Sequence, residues 1–233
     1  MNMNQFDAVV VGAGPAGSIA ALTLARGGAH VALIDKARFP RDKACGDLIG
    51  PPGVGLLSEL GLRVEATRTV RDLRVIGPGG HEISMWCPTT DAYPEYASYV
   101  KRAALDNTLF NEAVRAGAAP IHGRIADPIR HDCGRLIGVT LDSGRALGAD
   151  FFIGADGSTT RLGQIANLVD PARGIWCFAT MPSWRCPERP SPITRSRSSY
   201  WPRSGWPPDR LQGSTARKAT AVRTDVTRTE TRV

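Results

Sequence analysis

The 233 residues carry a formal net charge of +7, and 42% of them are hydrophobic, enough for one or two domains with a sizeable core. The charge does not argue for a nucleic-acid partner, because it sits at one end: residues 189–233 hold ten Arg and Lys against three Asp and Glu, while residues 1–188 hold nineteen of each sign. Five cysteines without a CxxC pair, four scattered His and no apolar run of membrane-spanning length exclude a disulfide framework, a metal centre and a transmembrane helix, and fit a reducing cytoplasm.

The first element is an apolar run, Ala8 to Val11, short enough for a buried parallel strand. No basic leader precedes it. Gly12, Gly14 and Gly17 follow in GxGxxG spacing and open a small-residue helix, predicted over 15–28 with Ala20, Ala21, Leu24 and Ala25 on its packed side. In that spacing the first glycine permits the strand-to-helix turn, the second lets backbone approach a pyrophosphate, and the third lets the helix lie close on the strand. The free N–H groups of the helix start favour phosphate. A second strand, His30 to Asp35, ends in an acid placed to accept hydrogen bonds from a ribose. His30 reads as a strand-edge residue rather than a ligand.

Residues 38–47, with turn formers and charges but no periodicity, form a loop near the ligand. A short helix follows over Gly53 to Leu60, opened by Pro51 and Pro52 and stopped by Gly61. Asp72 to Ile76 and Glu82 to Trp86 read as a hairpin turning at Pro78-Gly79-Gly80. For Trp86 and Cys87 the choice is between lining a pocket and packing in the core, the commoner fate. Residues 88–98 are turn-rich. Tyr99 to Arg102 leads into a helix over 103–116, with Arg102 at its entrance, Asp106 on its first turn and Gly117 as its cap. Ala119 to His122 is a strand. A meander follows over Ile125 to His131, Leu136 to Leu141 and Ala146 to Ala149, and Asp150 to Gly154 is a last apolar strand. That strand ends in Ala155-Asp156-Gly157-Ser158, either a ligand-binding turn at a sheet's C-terminal edge or an Asp-Gly turn capped by Ser158. Another strand starts over Gly174 to Met181. Residues 189–233, with nine Arg, thirteen Ser and Thr, five Pro and only five Leu, Ile, Val or Phe, hold too little apolar surface to offset ordering entropy and read as disordered.

Four stretches resemble the geranylgeranyl reductase family of FAD-dependent oxidoreductases, flavoproteins with a p-hydroxybenzoate-hydroxylase-like fold. VVVGAGPAGSIAA (Val9 to Ala21) looks like the family's ADP-binding fingerprint, and FPRDKACGD (Phe39 to Asp47) resembles its Pro-x-x-Lys-x-Cys-Gly-Asp/Glu loop. YVKRAALDNTL (Tyr99 to Leu109) resembles its Arg-x-x-x-Asp helix entrance, and FFIGADGSTTRLG (Phe151 to Gly163) its second flavin motif. The cysteine loop is the specific one and points to prenyl reductases. The resemblance implies a Rossmann-like α/β FAD-binding domain with a β-meander over residues 1–181. Within it, strands near 70–90 and 174–181 begin a second, substrate-domain sheet, and residues 182–233 are a disordered basic tail.

It further implies that Gly12, Gly14 and Gly17 hold the FAD pyrophosphate, that Asp35 holds the adenosine ribose, that Pro15, Ala16 and Lys36 also belong to the cofactor site, and that Arg102 contacts FAD near its phosphates. Asp156 and Gly157 would seat the cofactor, and Cys45, with Gly46, would stand by the flavin ring in the substrate cavity as the candidate catalytic residue. The implied reaction is hydride transfer from reduced flavin to a carbon–carbon double bond of a prenyl chain. NAD(P)H or ferredoxin would be the electron donor, a prenyl lipid or other small molecule the substrate, and the site would be cytoplasmic, peripheral to the inner face of the membrane; no metal and no nucleic acid are expected. An FAD monooxygenase or halogenase is a second reading, against which the Cys45 loop argues. Residues 182–233 lack the family's later Gly-Asp-Ala-Ala-Gly loop and resemble a GC-rich gene read out of frame. A frameshift or early stop is therefore expected, and a non-catalytic remnant is a third reading. Nucleic-acid binding through Tyr200, Trp201 and Trp206 among the tail's arginines is the weakest.

Overall fold

A computed structural model describes residues 3–76, 80–87, 90–170 and 221–223. Strand β1 (Asn4–Val11) lies between β2 (Val31–Asp35) and β11 (Ala146–Gly154), parallel to both. β8 (Ala119–His122) extends the parallel part beyond β2, while β10 (Leu136–Leu141) and β9 (Ile125–Arg130) continue it antiparallel beyond β11. The six-stranded order is β8-β2-β1-β11-β10-β9. The apolar runs are continuous rather than alternating because both sheet faces are covered. Val10 and Leu33 pack with Leu22 of α1 (Pro15–Arg26) and Leu109 of α3 (Arg102–Arg115), whereas Val9, Val11 and Ile34 pack with Val139 and Leu147 on the other face. Val9, Val10 and Leu33 are fully buried.

Pro15 begins α1, where its missing N–H costs nothing. The helix ends two residues earlier than the pattern predicted, at Arg26, followed by Gly27 and Gly28. Helix α2 (Pro51–Glu59) starts two residues earlier than expected, on the prolines themselves. The hairpin strands β5 (Asp72–Ile76) and β6 (Glu82–Trp86) have the predicted bounds and pair along their whole length. Their turn lies partly outside the described residues.

Several expectations are corrected. The stretch read as turns and helix lead-in contains β7 (Ala97–Tyr99), which pairs with β3 (Leu48–Ile49) and β4 (Arg68–Val70) in a small sheet that periodicity does not reveal. Ala146–Ala149 and Asp150–Gly154 are one nine-residue strand, β11, because it pairs antiparallel with β10 at its start and parallel with β1 from Leu147 onward, which carries it through Gly148 and Asp150 without a turn. Trp86 does not pack in the core; it is 75% exposed. A short helix, α4 (Arg161–Ile165), follows the Asp156 turn, and its cap is Thr160, whose hydroxyl accepts the Gly163 N–H, not Ser158. Residues 221–223 pair with β5 as β12 (Ala221–Arg223) in a segment read as strandless. The predicted strand over 174–181, the boundary at 181 and the rest of the tail read as disordered lie outside the described residues.

Candidate functional site

The C-terminal ends of β2, β1 and β11 meet at one edge of the sheet. The Gly12 N–H donates to the Ile34 carbonyl at 2.7 Å, and the Ala155 N–H donates to the Val11 carbonyl at 2.7 Å. Gly12 turns there with φ +95°, and a Cβ on it would stand 2.4 Å from the Ala155 carbonyl oxygen. A Cβ on Gly17 would stand 1.7 Å from the Gly12 oxygen, so α1 lies on the turn at a distance only glycine allows. The buried Ser18 hydroxyl donates to the Ala13 carbonyl at 3.0 Å and fixes the turn from beneath.

These strand ends border a cavity of about 870 Å³, with Gly12, Gly14, Asp35, Lys36, Asp156 and Gly157 among its walls. Six of the residues singled out in the sequence are therefore brought together. Asp35 ties the cavity's floor: its Oδ2 accepts the Ala13 N–H at 2.8 Å and its Oδ1 the Ala37 N–H at 2.8 Å. Asp156 works similarly at the far side, its Oδ2 accepting the N–H groups of Arg161 and Leu162 at the start of α4. Its Oδ1 is buried and has no hydrogen-bond partner among the described residues. A buried acceptor in a cavity wall is costly unless a ligand hydroxyl, amide or water donates to it.

Four cations unassigned from the sequence also line the cavity: Arg41 and Lys43 from the loop, Arg124 beyond β8, and Arg161. With Lys36 they make five cations against three carboxylates, Asp35, Asp42 and Asp156, a balance that favours an anionic ligand. Two of them, Arg41 and Lys43, belong to the FPRDKACGD loop, whose motif carries a signal for them beside the cysteine.

Arg102, Cys45, Gly46, Pro15, Ala16 and Gly17 do not line this cavity. Arg102 stands at the start of α3 and holds Asp106 with both ends of its guanidinium, Nε to Oδ1 at 2.9 Å and Nη2 to Oδ2 at 3.0 Å. Asp106 is fully buried and also pairs with Arg41 Nη2 at 3.1 Å. The first-turn acid is thus the buried centre of an Arg41–Asp106–Arg102 triad, not a surface charge at a helix start. Arg41 is the link to the cavity: its guanidinium lies 5.1 Å from the Phe39 ring centroid, and Phe39 stacks on Phe110 at 4.6 Å. The Asp106 hydrogen bond pushes Arg102's basicity still higher, burial opposes it, and a hydrogen bond with Cys45 adds to it. Asp47 fastens the cysteine loop to the same helix start, its carboxylate accepting the Arg102 N–H at 3.1 Å and the Tyr99 hydroxyl at 3.3 Å. Cys45, Cys87 and Cys133 are free thiols. His30 stacks on Phe6 at 4.4 Å, at the strand edge. Among the described residues no group of three or more His, Cys, Asp or Glu is placed to hold a metal ion, and no helix is long and apolar enough to cross a membrane.

The FAD binding domain family model matches residues 5–172. A menaquinone reductase of Mycobacterium tuberculosis is 41% identical over 161 residues, covering 68% of this chain and 39% of the relative. Digeranylgeranylglycerophospholipid reductase 2 of Methanosphaera stadtmanae is 32% identical over 173 residues, covering 71% of this chain and 43% of the relative. The chain therefore spans less than half the length of these relatives. A geranylgeranyl bacteriochlorophyll reductase-like protein from Thermoplasma acidophilum superposes with a TM-score of 0.58 at 25% identity, covering 67% of this chain and 40% of that one. A flavin-dependent brominase superposes with a TM-score of 0.61 at 22% identity, covering 71% and 41%, a likeness of fold.

Proposed function

The chain belongs to the FAD binding domain family, with FAD as its cofactor, and from that premise we propose that it forms the adenosine-diphosphate grip of a flavin-dependent reductase acting on a carbon–carbon double bond of a prenyl chain. The residues present fit the cofactor. The Gly12–Gly14 turn and the start of α1 leave backbone close to the cavity with no side chain in the way, which suits a diphosphate. Arg41 and Lys43 would offset its charge, Asp35 would take the adenosine ribose, and Asp156 with Gly157 would form the wall against the remainder of the cofactor. FAD, when bound, supplies the hydride; the protein supplies orientation and electrostatics. Arg102, held rigid by Asp106, would add positive charge near the phosphates without touching solvent freely.

The observation that carries the reading of the reaction is the fastening of the cysteine loop. Asp47 ties it to the entrance of α3, and Arg41 of the same loop reaches the cavity. The loop is thereby a bridge between the cofactor cavity and the Cys45 thiol, which is the chain's candidate contact with substrate. The relatives named as reductases of menaquinone and of a digeranylgeranyl lipid support a prenyl-bearing substrate. Such a lipid fits peripheral membrane contact, and NAD(P)H or ferredoxin would reduce the flavin. The brominase likeness keeps an FAD monooxygenase or halogenase as the second reading.

The test is anaerobic incubation of the purified chain, loaded with FAD and chemically reduced, with geranylgeranyl diphosphate and separately with menaquinone. The expected product is heavier by one pair of hydrogens per double bond, and Cys45→Ala lowers its yield without lowering FAD binding. Oxygen-dependent hydroxylation or halide incorporation would establish the second reading. Bound flavin with no turnover on any of these substrates would mean a non-catalytic remnant.

A further inference from the structure

We propose that Arg124 is the residue that recognises the adenine ring, by laying its guanidinium plane on the base, and that it makes the cavity selective for a purine. The inference rests on the dinucleotide reading above and goes to a residue that reading does not use.

The sheet order sets out where each part of an adenosine diphosphate lies. The Gly12 turn and the start of α1 stand at the end of β1, Asp35 at the end of β2, and the Gly123-Arg124 turn at the end of β8, the next strand out. Asp35 is in register with His122, and the Gly123 N–H donates to the Asp35 carbonyl at 3.0 Å. Neighbouring strands lie about 4.8 Å apart, so passing from β1 to β8 covers roughly 10 Å, the reach from phosphate across ribose to base. With phosphate at β1 and ribose at β2, the base falls beside Arg124.

The backbone of Arg124 is held. Its N–H donates to Asp142 Oδ1 at 3.2 Å, and the Asp142 N–H donates back to the Arg124 carbonyl at 2.9 Å. Its neighbour Gly123 packs so close that a Cβ would stand 3.1 Å from Leu141 Cδ1. The side chain is different: Arg124 is a cavity-lining residue, it is exposed, and its guanidinium makes no ion pair or hydrogen bond among the described residues. The other cavity arginines are committed, Arg41 to Asp106 and Arg161 Nη2 to the Ala126 carbonyl at 2.8 Å. An uncommitted guanidinium on a fixed backbone beside a planar base stacks, and every base offers a π face to it. A phosphate role fits less well. Arg41, Lys43 and the start of α1 already face the diphosphate on the other side of Asp35, and the Asp35 carboxylate repels a second phosphate on the ribose.

The experiment is calorimetric titration of the full chain, wild type, Arg124→Ala and Arg124→Lys, with ADP and with UDP, alongside thermal melts. Wild type prefers ADP, because a purine presents the larger face. Arg124→Ala weakens ADP about fivefold and UDP less than about twofold, and Arg124→Lys, which keeps the charge but not the plane, falls with Arg124→Ala. Melting temperatures stay unchanged, since the side chain is exposed. Equal losses on both nucleotides, no loss on either, or full retention by Arg124→Lys would overturn the inference while leaving the dinucleotide reading intact. A wild type that binds neither nucleotide would overturn that reading and this inference with it.

Discussion

Two parts of the molecule are written in the same strand-forming residues and meet opposite fates. In the parallel sheet, Val9, Val10, Leu33 and Leu147 are wholly buried. In the β5–β6 hairpin, Ile83 is 61% exposed, Met85 47% and Trp86 75%. The hairpin pairs as regularly as the sheet does. What differs is cover: α1 and α3 lie on one face of the sheet, and the meander with Leu162 of α4 closes the other, while among the described residues the hairpin's apolar side chains meet no such layer. Hydrogen-bonded pairing makes a strand; a second layer makes a core. Full burial is worth about 1.5–3 kcal/mol for each Val, Leu or Ile relative to exposure, so the stability of the described part resides in the sheet and its helices.

The largest effect is expected at the buried polar centre beneath the sheet's helices. Asp106→Ala strips the counter-charge from Arg41 and Arg102, whose side chains are only 15% and 17% exposed, and is expected to cost about 3–5 kcal/mol in urea unfolding. Gly12→Ala comes next. It puts a side chain where φ is +95° and 2.4 Å from a carbonyl oxygen, costing about 1–3 kcal/mol of strain, and ADP binding measured by titration should vanish.

A smaller effect is confined to alkaline pH. Burial raises the Tyr99 hydroxyl above its ordinary 10.0, and the charge and hydrogen bond of Asp47 add to that. The native chain thus holds this proton more tightly than the unfolded chain. The stabilisation is complete below pH 10 and is lost as pH rises through the folded value. Urea midpoints measured on both sides of pH 10 should fall more steeply for wild type than for Tyr99→Phe; parallel slopes would remove Tyr99 from the account. The smallest effect is expected on the hairpin. Trp86→Ser and Ile83→Thr should each change stability by no more than about 0.5 kcal/mol while lowering dye binding to exposed apolar surface. A loss of core-like size there would show that the hairpin is covered after all.

How far each region could be read before any coordinates follows from the range of the forces involved. The β1–α1–β2 unit was legible because its chemistry is local: three glycines, an apolar run on each side and an acid at the second strand's end all fall within residues 5–35. The hairpin bounds were legible for the same reason. β3, β4 and β7 were not, since strands of two or three residues hold no period and each finds its partner far along the chain, as Leu48 does with Tyr99. The antiparallel start and the apolar end of β11 read as different kinds of strand, and only simultaneous pairing with β10 and β1 makes them one. The site divides the same way. Gly12, Gly14, Asp35 and Asp156 were picked out by motif, and the fold gathers them on one cavity. Arg41 and Lys43 lie inside the cysteine-loop motif, but nothing local shows that they face the same cavity, and Arg124 has no motif of its own.

By itself, then, the sequence determined the turn that fits a diphosphate, because a glycine's freedom and a strand's period are properties of neighbouring residues. Tertiary structure decided the rest: that Asp106 is a buried counter-ion for two arginines, that Trp86 lies open, and that Arg124 comes to stand one strand beyond Asp35. Those outcomes depend on sheet order and on which layer covers which face, and both are set by contacts between residues distant in the chain.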